Sequence, residues 1–201
     1  PDSNWRSNQI YMGHLAISDI DGARHYSAER FARAAAGLAG NRTEPFEVWL
    51  GPWSLRGDTQ LFPLTLSAQH DDIGVQLELQ AGDKPLVLQG ERGLSRKSAT
   101  PGNASYYYSF TRLPTRGELR IGDSLYSVQG DSWLDREWSS SALDKDQAGW
   151  DWFALQLEDG RELMFYQLRT RQGGAHAYSR GSLVDANGSV HSLLPEQVTL
   201  T

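Results

Sequence analysis

The stretch Asp151-Trp152-Phe153-Ala154-Leu155-Gln156-Leu157-Glu158-Asp159-Gly160-Arg161-Glu162-Leu163-Met164-Phe165-Tyr166-Gln167-Leu168-Arg169 decides the fold. Residues 151–157 and 162–169 are runs of strand-forming length, rich in aromatic and branched side chains, on either side of a polar tetrapeptide. Asp159-Gly160 supplies the positive φ that a tight hairpin turn demands. Outward from this hairpin the same device recurs. Residues 182–185 and 189–193 flank Ala186-Asn187-Gly188, and residues 62–69 and 73–80 flank His70-Asp71-Asp72. Residues 45–50 and 54–56 are separated by Gly51-Pro52, and residues 9–18 end at Asp19-Ile20-Asp21-Gly22. Residues 105–113, 117–121 and 126–129 read as a meander, with Gly122-Asp123 between the last two. Residues 27–39, with Arg33-Ala34-Ala35-Ala36, have helical composition and predict one short helix. Many short strands with tight turns predict an all-β, antiparallel barrel or sandwich.

Composition narrows the functional classes. The chain has 201 residues, 39% of them hydrophobic, which is enough for one sizeable core or for one domain and part of another. Its formal charge is −6 with acids and bases interspersed, so it lacks the basic stripe that nucleic-acid binding requires. No apolar run is long enough for a membrane-spanning segment. The absence of Cys excludes disulfides, thiolate catalysis and Cys-based zinc sites. The chain opens at Pro1 without Met and stops at Val198-Thr199-Leu200-Thr201 in what reads as a strand, so a longer protein is expected.

Two familiar motifs lose their force in context. Gly122-Asp123-Ser124-Leu125 has the letters of an esterase nucleophile block, but it bridges two alternating runs and no Asp-x-x-His follows, so a hairpin turn accounts for it. His14, His25, His70, His176 and His191 are scattered without metal-ligand spacing, and no metal or other cofactor is expected. His14, in a strand among Tyr11, Met12 and Leu15, is the one imidazole placed to face a cavity. Gln89-Gly90-Glu91-Arg92-Gly93-Leu94-Ser95-Arg96-Lys97 could bind an anion, but with no helix start or phosphate cradle a solvated loop is the simpler reading.

The segment Ser132-Trp133-Leu134-Asp135-Arg136-Glu137-Trp138 carries the most chemical information. In an extended chain Trp133, Asp135 and Glu137 share one face, and Leu134, Arg136 and Trp138 share the other. A carboxyl walled by indole has its charged form desolvated, which favours the protonated state a general acid needs. The competing reading is that Asp135 or Glu137 pairs with an Arg and only ties strands together. Trp150 and Trp152 alternate on one strand, and Tyr106-Tyr107-Tyr108 lie on another. Such rings suit either a carbocation, through their quadrupoles, or an inert apolar pocket.

Several of these stretches, together with Asn8-Gln9-Ile10-Tyr11-Met12-Gly13-His14, Glu29-Arg30-Phe31, residues 101–108 and Gly149-Trp150-Asp151-Trp152-Phe153, resemble the hydroxyneurosporene synthase family. These proteins are also called carotenoid 1,2-hydratases (CrtC) and are grouped with the AttH proteins. The resemblance runs in order from about Ser7 to Arg169. It implies a bacterial protein of two lipocalin-like β-domains. Residues 1–171 would be the first, N-terminally incomplete, and residues 172–201 the opening strands of a truncated second. It also implies a secreted, periplasmic or lipoprotein location.

For function the resemblance leaves two readings. One is a carrier of a small hydrophobic molecule, isoprenoid or lipid-like, walled by Tyr11, Tyr106, Tyr107, Tyr108, Trp133, Trp138, Trp150 and Trp152. The other is a lyase that adds water to an isoprenoid C=C bond without a cofactor. Asp135 would be its general acid, and Glu137 or His14 would position the water.

Overall fold

The computed structural model describes residues 8–139 and 143–200, and among these the regular secondary structure is antiparallel β apart from one 3-10 turn. It divides into two compact units. The first comprises the described residues up to Ala81 together with Pro114–Asp131, and the second comprises Gly82–Leu113 with the described residues from Ser132 onward.

In the first unit, β1 (Ile10–Asp19) and β2 (Arg24–Arg33) form a hairpin of two ten-residue strands in continuous register, with Ile10 opposite Arg33 and Asp19 opposite Arg24. The strands β3 (Ala39–Thr43), β4 (Phe46–Leu50), β5 (Trp53–Arg56), β6 (Leu64–His70) and β7 (Ile73–Leu79) follow as a meander. Leu15 and Ile17 from the hairpin pack with Trp53, Ala68 and Ile73 from the meander, and the Trp53 indole N–H donates to the Gln69 carbonyl. The helix expected over residues 27–39 is not formed. Its first half belongs to β2, where Tyr26, Ala28, Arg30 and Ala32 alternate inward, and residues 34–38 are bend and turn. Pairing with β1 and burial of one face outweigh the few tenths of a kcal/mol per residue by which Ala and Arg favour a helix.

After the short strands β8 (Val87–Leu88) and β9 (Leu94–Arg96), the chain enters β10 (Ala104–Ile121) and returns through β11 (Ser124–Ser139). The two strands expected at 105–113 and 117–121 are thus one. β8 and β9 pair with its first half, whereas from Thr115 onward it pairs with β7. Pro114, which has no N–H to give, sits at the end of the β7 ladder, where its carbonyl still accepts from the Gln80 N–H at 2.8 Å. At Gly117 (φ +154°) a Cβ would lie 2.0 Å from the Gln76 carbonyl oxygen, so the close approach to β7 excludes any side chain. Gly122-Asp123 is the turn into β11, which settles the Gly-Asp-Ser-Leu motif as a hairpin.

The second unit adds a sheet in the order β12 (Gln147–Gln156), β13 (Glu162–Thr170), β14 (Arg180–Val184) and β15 (Val190–Leu193). The Asp151–Arg169 hairpin forms, with Phe153 opposite Phe165 and Gln156 opposite Glu162. Past β15 a single 3-10 turn, Pro195–Gln197, precedes residues 198–200, which form no strand, contrary to expectation. The inward row of β13, Met164, Tyr166 and Leu168, packs against Tyr107 of β10, with Trp133, Leu143 and Tyr178 around it. No helix of the described residues is long and apolar enough to cross a membrane.

A buried ion cluster closes one end of this unit. Glu162 is fully buried and accepts from Arg112 Nε at 2.7 Å, with Lys84 Nζ at 3.5 Å. Lys84 also donates to the carbonyls of Gly160, Asp185 and Ala186, so one ammonium ties the β12–β13 turn to the β14–β15 turn. Glu162→Gln leaves the buried Lys84 ammonium and the half-buried Arg112 guanidinium without their anion, and the unfolding free energy in urea is expected to fall by about 3–5 kcal/mol. A loss below about 0.5 kcal/mol, the scatter of ordinary surface substitutions, would mean the cluster carries no stability.

Candidate functional site

The second unit contains a cleft whose chemistry begins on β10. Its alternate residues Ser105, Tyr107, Ser109, Thr111 and Leu113 are all buried, so the inward row is mostly hydroxyl-bearing. A carboxylate can be accommodated beside such a row because hydroxyls satisfy it. β11 supplies that carboxylate. Asp135 Oδ1 accepts from Ser109 Oγ at 2.6 Å and from the Trp133 indole N–H at 2.8 Å, and Oδ2 accepts from the Tyr107 hydroxyl at 3.0 Å. Hydrogen bonds to a charged acceptor contribute about 1.5–3 kcal/mol each, enough to hold all three donors in place. Gln89 Nε2 donates in turn to Ser109 Oγ at 3.0 Å, and the Trp152 indole N–H donates to the Tyr107 oxygen at 3.3 Å.

The cleft has a volume of about 230 Å³ and is lined by Tyr107, Trp150, Trp152, Tyr166, Leu168, Lys97, Glu137 and two serines. Trp150 and Trp152 are 54% and 45% exposed, so they form its open wall rather than a packed core. Tyr107 stands between the cleft and Asp135. Burial, then the Asp135 charge, pushes its phenol well above the usual tyrosine value, against a smaller opposing effect of the Trp152 N–H.

Lys97, just past β9, enters the same space. It is 9% exposed, and its ammonium lies 2.9 Å from Glu137 Oε1, 3.2 Å from Ser95 Oγ and 4.0 Å above the Tyr166 ring. Tyr166 also shares a hydrogen bond with Ser95 Oγ at 2.9 Å. The solvated-loop reading holds for Arg92 and Arg96, which are exposed, but not for Lys97. Its burial left no trace in composition. The available signal was the run Met164, Tyr166, Leu168, whose period-two spacing marks an inward face that a neighbouring cation could meet.

The structure sorts the remaining sequence candidates. Trp133 and Asp135 lie beneath the cleft floor, while Glu137, Tyr107, Trp150 and Trp152 line it. Trp138 projects from the opposite face of β11 and forms a separate cluster with Tyr106 and Tyr108, ring centroids 5.9 and 6.0 Å away. Tyr11 and His14 belong to β1 of the first unit. There the Tyr11 hydroxyl accepts from Asn41, and His14 is exposed with its ring edge toward Phe31. No cluster of His, Asp or Glu able to hold a metal occurs among the described residues.

Removing the Tyr107 hydroxyl leaves Asp135 with one donor fewer and the Trp152 N–H without its acceptor, so Tyr107→Phe is expected to lower stability by about 1–3 kcal/mol. The raised phenol also makes stability depend on pH. Above about pH 10 the unfolded chain releases a proton that the folded one retains, so Tyr107's contribution is complete below that pH and lost as pH rises further. Urea denaturation from pH 9 to 11.5 should show a decline that is shallower in Tyr107→Phe, and parallel curves would contradict this.

A sequence model of the AttH-like family matches residues 1–201. The comparison with curated proteins found no match. Among solved structures, the chain is similar to a crystal structure from Nitrosomonas europaea, provisionally described as AttH. The two share 33% identity and a TM-score of 0.87 over 98% of this chain and 60% of the other. It is also similar in fold to kievitone hydratase from Nectria haematococca, at 14% identity and a TM-score of 0.72 over 91% of this chain and 55% of that one. The chain therefore spans less than two thirds of the length of either. With its lipocalin-like antiparallel architecture and a family match along its whole length, the chain belongs to the AttH-like family.

Proposed function

We propose that the cleft binds a hydrophobic, isoprenoid- or lipid-like molecule. The observation that carries this reading is the pair Trp150 and Trp152, which remain about half exposed beside Leu168 over the polar floor at Tyr107. Large apolar rings left open to water cost free energy that a ligand recovers by covering them. Binding sites of this kind combine an apolar wall with a few convergent polar groups that orient the ligand.

A second reading, hydration of an isolated C=C bond, is favoured by the contact between Asp135 and Tyr107 at the cleft floor. A proton carried by Asp135 would pass to the Tyr107 oxygen as the Tyr107 hydroxyl gives its own proton to the alkene, water would add to the resulting tertiary cation, and the proton that this water sheds would return to Asp135 through Tyr107. The resemblance to kievitone hydratase lends this reading its reaction class, at the level of fold.

Titration with retinol, followed by quenching of Trp fluorescence, should saturate, and Trp152→Ala should weaken the affinity about tenfold or more, as for loss of a large buried aromatic contact. Quenching that never saturates, or an affinity indifferent to Trp152, would sink the binding reading. Incubation with farnesol separates the two functions. A product heavier by one water, lost in Asp135→Asn, makes the protein a hydratase, and unchanged farnesol leaves it a binder.

A further inference from the structure

Resting on the cleft as a ligand site, we infer that Lys97 is the receptor for an anionic head group, and that the ligand is an amphiphile with a carboxylate at one end and an apolar chain at the other. The Lys97–Glu137 pair is asymmetric. The lysine side chain is 11% exposed and the glutamate side chain 41%. The cation is also fixed from behind, since its backbone N–H donates to the Asn103 carbonyl and its carbonyl accepts from Gln147 Nε2 at 2.6 Å.

A buried ammonium needs an anion, because desolvation without a partner is costly. A carboxylate already half in water gives up little by turning outward. Glu137 is therefore an exchangeable partner, close to the last residue of β11, and an incoming carboxylate can take its place on Lys97. Ser95 Oγ and the Tyr166 ring hold the ammonium meanwhile, at 3.2 and 4.0 Å.

The surroundings specify the rest of the ligand. Trp150, Trp152 and Leu168 line the same cleft and offer an apolar path beside Lys97. At about 230 Å³ the cleft is smaller than the roughly 300–1,000 Å³ typical of sites that enclose a whole ligand. It therefore takes the head and the first part of the chain, and the remainder lies along the exposed indoles. A neutral isoprenoid fits the wall equally well but leaves the Lys97–Glu137 pair unused.

The test compares cis-parinaric acid with its methyl ester, read by energy transfer from Trp, in the wild type, Lys97→Met and Glu137→Gln. The wild type should bind the acid at least about tenfold more tightly than the ester, the scale of one charge-assisted contact. Lys97→Met should bring the acid-to-ester ratio to about one, because it keeps the apolar stem and removes the charge. Glu137→Gln should raise the acid affinity, and with it the acid-to-ester ratio, about fivefold, because it removes the competing carboxylate. Equal binding of acid and ester, a preference that survives Lys97→Met, or an acid affinity unmoved in Glu137→Gln would overturn the head-group assignment while leaving the cleft as a binding site. Binding of neither compound would overturn the cleft reading itself.

Discussion

Asp135 is the constraint around which the second unit is arranged. A carboxylate beside a sheet interior is tolerated only if donors meet it, and here three do so from the β10–β11 pair. Their positions follow from strand geometry. Tyr107 and Ser109 are two apart on β10, Trp133 and Asp135 two apart on β11, and period two puts each pair on one face. Satisfying the charge therefore also fixes the Tyr107 ring, and with it the floor of the cleft. The sequence alone suggested a carboxyl beside indole. The structure shows the indole as a donor to that carboxyl, with a phenol between it and the open space.

How much of this was legible depended on whether the signal was local. Hairpins announced by Asp159-Gly160, Asn187-Gly188 and Gly51-Pro52 form where the turn residues put them, because a tight turn is decided by its own φ values. The segment 27–39 misled because propensity is a weak prior, and the β1 partner that overrides it lies earlier in the chain. β10 read as two strands because Pro114 and Gly117 are breakers in isolation. The first sits at the end of the β7 ladder, and the second where β7 comes too close for a Cβ. In the site, the shared face of Trp133, Asp135 and Glu137 was readable from alternation. Lys97, Ser109 and Tyr166 were not, because their roles depend on pairings across 26 to 71 positions of sequence.

The two aromatic groups of the second unit show how one residue type serves different ends. Tyr106, Tyr108 and Trp138 project from the faces of β10 and β11 opposite to Tyr107 and Glu137, and they contact one another at 5.9 and 6.0 Å. Trp150 and Trp152 instead leave a gap between themselves and Tyr107, Tyr166 and Leu168. Exposure alone does not distinguish the groups, since Trp138 and Trp150 are 52% and 54% exposed. The difference is polar. Only the second group surrounds a buried cation and a phenol held by a carboxylate, and that combination gives an apolar molecule both a wall and an orientation.

The most direct test of this account is a crystal structure of the protein soaked with a bromine-labelled isoprenoid alcohol, with the bromine located by its anomalous scattering. The account requires the peak beside Trp150 and Trp152, above the Tyr107 hydroxyl, with the Asp135–Tyr107 contact intact. A peak on the Tyr106–Trp138 cluster or in the first unit, or a ligand seated with Tyr107 swung away from Asp135, would contradict it.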